Sequence, residues 1–431
     1  MRNSEYVTCG RVCAWSRGAL VVVALLVSAA EAAGQWPQWG GPQRNFCCDA
    51  GPLADKWSAE GPPKVWSRDI SYGHSAIVVD EGTLYTMYRR DDQDIVLALK
   101  ADTGETVWET AYAAPTKPDM QLDFGPGPHA TPLVVGERVF TVGAMVHLTA
   151  LDKRSGQVAW SHDLMEKLGA GHLGRGYGAS PIAYDDMVIV NVGGRAAEVA
   201  GVAAFKQATG EAVWQSEHLG GGYPSPILAR FNGVDHLIVT QGAERVGLDP
   251  ATGKTRWRLT VDSQSAAIMA TPVWIEPDRV FFTAAYGGGS RLLRLSVTDE
   301  GDYAVEELWH SRKMKVHHAS VVQIGDYVYG SSGDFGPAFM MAIDLRDGAV
   351  VWRERGLAKA NVLYADGKLI ILDETGLLAL ATATPEGLTV HSQVQMLAEK
   401  AWTAPTLVGT RLYLRDYKTI MALELGAVAG S

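Results

Sequence analysis

The sequence has few cysteines and no excess of positive charge. Four cysteines occur in 431 residues, and none belongs to a C-x-x-C-H motif, which excludes attachment of a c-type haem. The formal net charge of −10 argues against binding to nucleic acid or to anionic membrane surfaces. Neither a G-x-S-x-G nucleophile elbow nor an H-E-x-x-H zinc motif is present. These absences leave a globular, acidic protein without a familiar catalytic motif.

The first 32 residues have the features of a signal peptide. Arg2, Arg11 and Arg17 form a positive region, residues 19–30 are apolar apart from one serine, and residues 30–32 form an A-x-A cleavage site. The apolar run is too short to span a bilayer comfortably, although an uncleaved anchor is the alternative. No later apolar run is long enough to span a membrane. We therefore expect export to the periplasm or beyond through a cleavable signal (1–32), followed by an N-terminal arm (33–62).

A repeat dominates the remaining sequence. Its unit is a small or apolar pair, a short polar turn containing glycine, and then tryptophan, as in Ala98–Trp108. The spacing of these tryptophans, between 42 and 54 residues, is typical of one four-stranded propeller blade per repeat. Each indole is expected to pack against the next blade. The structural tryptophans are Trp66, Trp108, Trp160, Trp214, Trp257, Trp309 and Trp352.

A second pattern gives the number of blades. Eight short segments combine small residues with proline or histidine, which suits the crowded strands nearest a propeller axis. The last blade, in residues 403–425, ends without an outer strand, whereas residues 63–67 have an outer-strand tryptophan but no blade before them. We therefore predict an all-β fold: a single eight-bladed β-propeller (63–426) of four-stranded antiparallel blades, closed by the N-terminal strand. Closure of this kind leaves no open sheet edge.

The repeat unit resembles the tryptophan-docking motif of pyrroloquinoline-quinone (PQQ)-dependent alcohol dehydrogenases. It is also similar to the propeller repeats of BamB, an outer-membrane assembly lipoprotein. The opening W-P-Q-W-G-G-P at residues 36–42 resembles the start of secreted bacterial PQQ-like propeller proteins. The resemblance covers residues 36–425 and implies the fold. The resemblance indicates little about activity, because proteins of one fold can have many functions.

Polar and aromatic residues precede several inner strands, where the blades converge on the axis. We interpret them as a ring at one mouth of the channel that binds a small anion, a metal or a cofactor. Packing and hydrogen bonding inside a narrow, wet channel is the alternative. No ligand spacing is diagnostic of a metal. The predicted binding residues are His74, His129, Arg175, Tyr177, His317, His318, Lys359, Asn361 and Trp402.

Two acidic residues are candidates for a general base. Asp334 lies in a glycine-rich block that would allow close approach of a ligand, and Asp123 is a weaker second choice. A turn aspartate that caps its own backbone is the alternative. Arg291, with Arg175 and Lys359, is a candidate for holding carboxylates, against the alternative of an exposed loop charge.

Cys47 and Cys48 are the two cysteines that remain after removal of the signal. PQQ alcohol dehydrogenases use a vicinal disulfide as a plate over the cofactor, but inside the blade region. Here the pair precedes the first blade, so the resemblance implies at most a plate over one channel mouth. Two incidental thiols, or a strained ring in a loop, are the alternatives.

Two functions remain open from the sequence. The first is a periplasmic propeller that acts as a ligand-binding or protein-interaction scaffold. The second is a PQQ-dependent dehydrogenase of an alcohol or sugar, with Ca²⁺ beside the cofactor and Asp334 as base. The partner is then a small molecule or a periplasmic protein, not nucleic acid, and we expect a monomer. If the enzyme interpretation holds, Asp334, Arg175 and the histidines should converge on one mouth.

Overall fold

The fold was described from a computed structural model, which covers residues 35–194, 198–261, 270–334 and 336–427. Within these ranges the strands form eight separate four-stranded antiparallel sheets. No helix there is long and apolar enough to cross a membrane. A short helix, α1 (Leu164–Leu168), follows the second blade. The predicted eight-bladed propeller is thus confirmed.

Seven blades are continuous in sequence, and each runs from the innermost to the outermost strand. Blades one to four are β2 (Val78–Asp80), β3 (Thr83–Arg90), β4 (Gln93–Lys100), β5 (Thr106–Ala113); β6 (Leu133–Val135), β7 (Arg138–Val142), β8 (His147–Asp152), β9 (Val158–Asp163); β10 (Ile182–Tyr184), β11 (Met187–Asn191), β12 (Val202–Lys206), β13 (Ala212–Gln215); and β14 (Ile227–Phe231), β15 (Val234–Gln241), β16 (Glu244–Leu248), β17 (Thr255–Thr260). Blades five to seven are β18 (Val273–Ile275), β19 (Arg279–Ala284), β20 (Gly289–Val297), β21 (Tyr303–Ser311); β22 (Val321–Ile324), β23 (Tyr327–Ser332), β24 (Phe339–Asp344), β25 (Val350–Arg355); and β26 (Asn361–Ala365), β27 (Lys368–Leu372), β28 (Leu377–Thr384), β29 (Gly387–Gln395).

The eighth blade is built from both ends of the chain. Its three inner strands are β30 (Thr406–Val408), β31 (Arg411–Arg415) and β32 (Thr419–Glu424), and its outer strand is β1 (Lys64–Asp69). Strand β1 pairs antiparallel with β32, as the sequence predicted. The pairing closes the ring, so that no blade is left with a missing strand.

Outer-strand tryptophans join neighbouring blades. The indole Nε1 of Trp66 donates to the carbonyl oxygen of Ala101 in the next blade, at 2.8 Å. Equivalent bonds of 2.8–3.2 Å run from Trp108 to Lys153, Trp160 to Gln207, Trp214 to Pro250, Trp309 to Leu345 and Trp352 to Thr384. A buried indole needs such a partner for its N–H group, so the repeat provides packing and polar satisfaction together.

Trp257 is the exception among these indoles. Its Nε1 is buried and has no hydrogen-bond partner among the described residues. The expected acceptor lies in the fifth blade, whose turn is lengthened by residues 299–302. The indole instead lies against Gly247 of its own blade, where an added Cβ would stand 2.0 Å from Nε1. The other clear copies of the repeat have alanine at this position.

Hydroxyl groups tie the innermost strands together. The Ser180 Oγ accepts from the Thr131 backbone N–H at 3.0 Å, and the Ser225 Oγ accepts from the Ser180 N–H at 2.8 Å. On the opposite side of the ring, the Ser320 Oγ accepts from the Val362 N–H at 3.0 Å. Innermost strands of different blades share no sheet, so these side chains satisfy backbone groups at the axis. This explains the small hydroxyl residues of the second sequence pattern.

His236 on β15 is a buried histidine, and neither of its ring nitrogens has a hydrogen bond to a residue that the structure describes. Burial, with a smaller effect of Arg256, lowers its pKa to about 4. The unfolded chain takes up a proton on this ring below about pH 6.5 that the folded chain does not, so stability is lost as pH falls from about 6.5 to 4. In His236→Phe this loss should disappear. Between pH 7.5 and pH 5 the free energy of unfolding should therefore fall by about 2 kcal/mol less in the variant than in the wild type. Urea unfolding at the two pH values measures the difference, and identical pH dependence in both proteins would contradict the assignment.

Candidate functional site: a cup at one mouth of the channel

A cavity of about 130 Å³ occupies the propeller axis, and we refer to it as the cup. Its wall is made mostly by residues that immediately precede or begin the inner segments of different blades. This placement follows from the fold, because the eight inner strands converge at the axis. The residues that line the cup are Trp39, His74, Phe124, Gly125, His129, Arg175, Gly178, Ser180, Tyr223, Ser225, Thr271, His317, His318 and Trp402.

The N-terminal arm closes the base of the cup. Trp36 pairs with Val79, and the Val134 N–H donates to the Pro37 oxygen, so the arm crosses the channel at the end toward which the inner strands run. Trp39 reaches from the arm into the cavity, where its Nε1 donates to the Thr271 Oγ1 at 2.9 Å. The channel is therefore a cup with an aromatic floor.

A buried arginine fixes the arm in this position. The Arg44 guanidinium donates to the carbonyl oxygens of Pro181 at 3.1 Å and Pro226 at 3.4 Å, in two different blades. It also donates to the Gln38 side chain at 2.9 Å. Burial lowers the pKa of Arg44 to about 9, which still leaves it charged at neutral pH.

Flat rings are stacked along one side of the cup. His74 lies between His129 and Trp402, with ring centroids 5.4 and 5.3 Å apart and interplanar angles of 25° and 26°. His318 packs on Trp402 at 4.4 Å, and Phe124 packs on it at 4.9 Å. Stacked rings of this kind form a rigid, largely apolar wall.

Backbone and hydroxyl groups fix the protonated nitrogens of two histidines. The His129 Nε2 lies 2.9 Å from the Arg175 carbonyl oxygen, so Nε2 carries the hydrogen. The Tyr417 hydroxyl donates to the Phe124 oxygen at 2.6 Å and accepts from the His74 Nε2 at 2.9 Å. The His74 Nδ1 is then an acceptor, and it is buried without a partner among the described residues.

Three side chains form a hydrogen-bonded chain that ends at the cup. The Tyr286 hydroxyl contacts the His317 Nε2, and the His317 Nδ1 lies 2.9 Å from the His318 Nδ1. The His318 Nε2 has no partner within the described part of the chain. Moving the protons along this chain converts the His318 Nε2 from donor to acceptor.

The histidines of the cup are neutral at physiological pH. Burial lowers the pKa of His74, His129 and His318, and for His74 and His318 a neighbouring imidazole lowers it further. Burial, and then the Lys359 ammonium, lowers the pKa of His317 to about 4. Their ring nitrogens therefore act as uncharged donors and acceptors.

Arg175 is the charged residue among those described as lining the cup. Its guanidinium lies over the Phe124 ring, with Cζ 4.6 Å from the centroid, and its Nη1 is 3.5 Å from the Asp123 Oδ2. Lys400 stands beside it, with Nζ 4.4 Å from the Trp402 ring. The cup therefore presents positive charge in an acidic protein, which favours an anionic ligand.

The structure brings six of the predicted binding residues together in the cup: His74, His129, Arg175, His317, His318 and Trp402. Asn361 stands behind the wall, where its Oδ1 accepts from the Ser320 N–H and its Nδ2 donates to the Trp402 oxygen. It therefore supports Trp402 from behind. Tyr177 is 1% exposed and packs in the core of the second and third blades instead of lining the cup.

The remaining predicted polar residues lie outside the cup, and most are paired. Lys359 lies 3.5 Å from the Glu374 carboxylate, and Arg291 pairs with Glu307. The Asp334 Oδ2 accepts from the Tyr286 N–H at 3.2 Å and lies 3.8 Å from the Lys315 Nζ. Through Tyr286 and His317 it is on the same side of the propeller as the cup. Asp334, Arg175 and the histidines thus share one mouth, but the Asp334 carboxylate does not line the cavity.

Cys47 and Cys48 are half-buried free thiols in the arm, and neither lines the cup. Cys47 forms an isolated backbone β-bridge with Tyr364 of the seventh blade, and the Cys48 N–H donates to the Tyr364 oxygen at 3.1 Å. Burial raises the pKa of Cys47 to about 11 and that of Cys48 to about 12. The pair is on the arm side of the channel, away from the cup; a vicinal disulfide that acts as a plate over one channel mouth stays a prediction.

Sequence reasoning missed several lining residues. Trp39 belongs to the W-P-Q-W-G segment, but nothing in that segment shows that it crosses the axis. Phe124 and Tyr223 lie in loops whose paths depend on tertiary contacts. Ser180 and Ser225 belong to the inner-strand pattern and could have been found by treating each position of that pattern as facing the axis.

The cup was tested against the needs of calcium-bound PQQ. Ca²⁺ takes six to eight oxygen ligands, normally with carboxylates among them. Of the described residues that line the cup, none is acidic. Nor do the described ranges contain a group of three or more His, Cys, Asp or Glu side chains that could hold a metal ion. The aromatic wall and Arg175 suit a flat anion, but the described donor set does not fit calcium-bound PQQ.

Comparisons with known proteins agree with the fold. BamB from Yersinia pestis, an outer membrane protein assembly factor, is 23% identical over 305 residues, which is 67% of this chain and 72% of that protein. A europium-containing methanol dehydrogenase superposes with a TM-score of 0.67 at 13% identity over 91% of each chain. Quinohemoprotein alcohol dehydrogenase from Comamonas testosteroni gives a TM-score of 0.65 at 14% identity, over 94% of this chain and 83% of that one. At such identities, the two structures show the fold alone.

The family model described as outer membrane protein assembly factor BamB matches residues 56–200 and 172–354. These two segments span most of the propeller, and they contain the tryptophan repeats on which the resemblance was based. The chain is a PQQ-like β-propeller and belongs to the BamB family.

Proposed function

We propose that this protein is a periplasmic binding propeller whose cup holds a small molecule. The observation that carries the proposal is the closed geometry of the cup, with Trp39 as its floor and an aromatic wall. Pockets of this kind, mostly apolar with a few polar groups, are where proteins bind small ligands. The His74 Nδ1 and the His318 Nε2, which have no hydrogen-bond partner among the described residues, support the same conclusion, because buried polar atoms normally have one.

The family relationship supports a scaffold that does not itself catalyse a reaction. The Yersinia relative is named as an assembly factor, and its name describes no chemical step. We extend this to the present chain as a scaffold that engages a ligand or a protein partner in the periplasm. Delivery by the N-terminal signal, whose residues lie outside the described part of the chain, is part of the proposal.

Oxidation of an alcohol or sugar with PQQ is the second candidate function. The arrangement of Asp334, Arg175 and the histidines at one mouth favours it. The described donor set of the cup argues against it, since none of those lining residues is acidic and the Asp334 carboxylate is paired behind the wall. We therefore place small-molecule binding first.

Ligand binding can be tested with a fragment library that includes PQQ with Ca²⁺, using ligand-observed NMR and tryptophan fluorescence on the mature protein. We expect small fragments to bind, and Trp402→Leu to weaken them about 10-fold or more because it removes the ring on which the wall is stacked. Trp274→Leu is the matched control, since Trp274 lies outside the cup in the fifth blade.

Two results would change the proposal. If no fragment binds in a way that Trp402→Leu weakens, the small-molecule proposal fails and a protein-binding scaffold remains. Saturable PQQ binding with dye reduction by alcohols or sugars, lost in Asp334→Asn, would instead make the protein a quinoprotein dehydrogenase.

A further inference from the structure

The guanidinium of Arg175 has unused binding capacity. It donates no hydrogen bond to any residue that the structure describes; its buried Nη1 faces the Asp123 Oδ2 at 3.5 Å without forming a hydrogen bond. Asp123, at 3.5 Å, is mostly exposed, so this ion pair is weakened by water. A planar guanidinium with free N–H groups matches a carboxylate, to which it can donate two parallel hydrogen bonds.

The surroundings of Arg175 favour a flat body on the ligand. Phe124 lies directly under the guanidinium, Trp402 lies against Phe124, and Trp39 forms the floor. Aromatic surfaces attract flat, unsaturated groups through offset or edge contacts. An aliphatic ligand of the same size would gain burial but not these ring contacts.

The volume of the cup and the charges beside it indicate the size and charge of its ligand. The cavity of about 130 Å³ is large enough for a single-ring compound. The imidazoles of the cup are neutral, because burial lowers the pKa of each, so they add no second positive charge. Arg175 is the charged side chain among the described residues that line the cup. Lys400 and Asp123 lie next to it and are opposite in charge, so the three side chains leave one net positive charge, which is complementary to one negative charge.

We infer that the cup binds a small aromatic carboxylate of one ring, with its carboxylate on Arg175. The inference rests on the proposed binding function and specifies the ligand class. A tricyclic tricarboxylate such as PQQ has more negative charge than this cup matches.

The test uses benzoate with two analogues on the mature protein, followed by isothermal titration calorimetry and tryptophan fluorescence. Benzamide keeps the ring without the charge, and acetate keeps the charge without the ring. We expect benzoate to bind and benzamide to bind with an affinity about 10-fold lower or lower still. Acetate should show no saturation at the same concentrations.

Variants then assign the charge to one residue. In Arg175→Gln the preference for benzoate over benzamide should disappear, whereas Arg175→Lys should keep part of it. Unchanged benzamide binding by Arg175→Gln shows that this variant is folded. Arg353→Gln, an exposed arginine that lies over Phe339 on the outside of the sixth blade, is the matched control and should behave as wild type.

Each outcome bears on one proposal. Equal affinity for benzoate and benzamide, or a preference that survives Arg175→Gln, overturns the aromatic carboxylate. If neutral fragments bind through Trp402 while benzoate does not, the ligand class is wrong and the binding function stands. If neither benzoate nor any fragment binds in the cup, the proposed function fails with it.

Discussion

Replacing Arg415 by methionine is expected to lower the free energy of unfolding by about 3–5 kcal/mol, because several buried acceptors each lose a hydrogen bond from a charged donor. Arg415 lies on β31 of the eighth blade and is 0% exposed. Its Nη1 donates to the Met87 oxygen at 2.7 Å, and its Nη2 donates to the Gly73 and Ser71 oxygens at 3.0 and 3.2 Å. Methionine would fill the space but would leave these buried carbonyl groups without a donor.

The effect should be large because Arg415 joins the last blade to the first. The carbonyl oxygens that it reaches belong to the first blade and to the segment between β1 and β2, immediately beside His74 of the cup. Burial lowers the pKa of Arg415 to about 9, so it remains charged at neutral pH and makes charge-assisted hydrogen bonds. The residue therefore stabilises the ring at its closure and one wall of the cup together.

Arg411→Met is the control for Arg415→Met. Arg411 is on the same strand, but it is partly exposed and pairs with Glu424 at 3.3 Å, so its loss should cost about 1 kcal/mol or less. Urea unfolding at neutral pH measures both variants. Equal losses in the two would contradict the role assigned to Arg415. If Arg415→Met does not fold, Arg415→Lys keeps the charge with fewer donors and should give an intermediate loss.

Gly104→Ala should cost about 3 kcal/mol, far more than an exposed glycine substitution. Gly104 has φ +72° in the turn between β4 and β5, and an added Cβ would lie 2.7 Å from two atoms of the Trp66 indole. The backbone conformation alone costs about 1 kcal/mol in an L-residue, and overpacking against the docked indole adds about 1–3 kcal/mol. Because Trp66 belongs to β1, the substitution strains the contact between the eighth and first blades.

Gly82→Ala separates the two causes. Gly82 is in the same blade with φ +74°, and nothing lies within 4 Å of an added Cβ. It should therefore cost only the backbone part, about 1 kcal/mol. The difference between the two variants in urea unfolding measures the packing of the indole on the turn. A difference near zero would show that Trp66 moves aside without loss.

The tryptophan repeat could be interpreted from sequence because each unit is a local hairpin with its own turn chemistry. Residues 98–108 specify a turn that needs positive φ at Gly104, then a strand with the tryptophan in place. The missing outer strand of the last blade, together with Trp66 before the first, predicted the closure for the same reason. Trp257 shows the limit, because it occupies the same place in the repeat and yet its indole N–H has no acceptor among the described residues.

Only some of the residues that line the cup could be predicted from the sequence. His74, His129, His317, His318 and Trp402 precede inner strands, so the topology alone places them near the axis. Tyr177 has a similar place in sequence but packs into the core, because neighbouring blades bury it.

Arg415 could not be identified from the sequence, since an arginine in a strand is normally exposed. Only the closed ring brings its five backbone and hydroxyl acceptors within reach.

The sequence by itself therefore determined the number of blades, their strand order and the way the ring closes. These properties depend on patterns that repeat within about 50 residues, where turn residues and strand alternation act locally. Only the tertiary structure decided that residues 36–46 cross the channel, that Trp39 forms the floor of a cup, and that Arg175 faces it without a hydrogen bond to any described residue. These features depend on contacts between residues far apart in the chain, such as Trp39 with Thr271, and no local pattern encodes such distances.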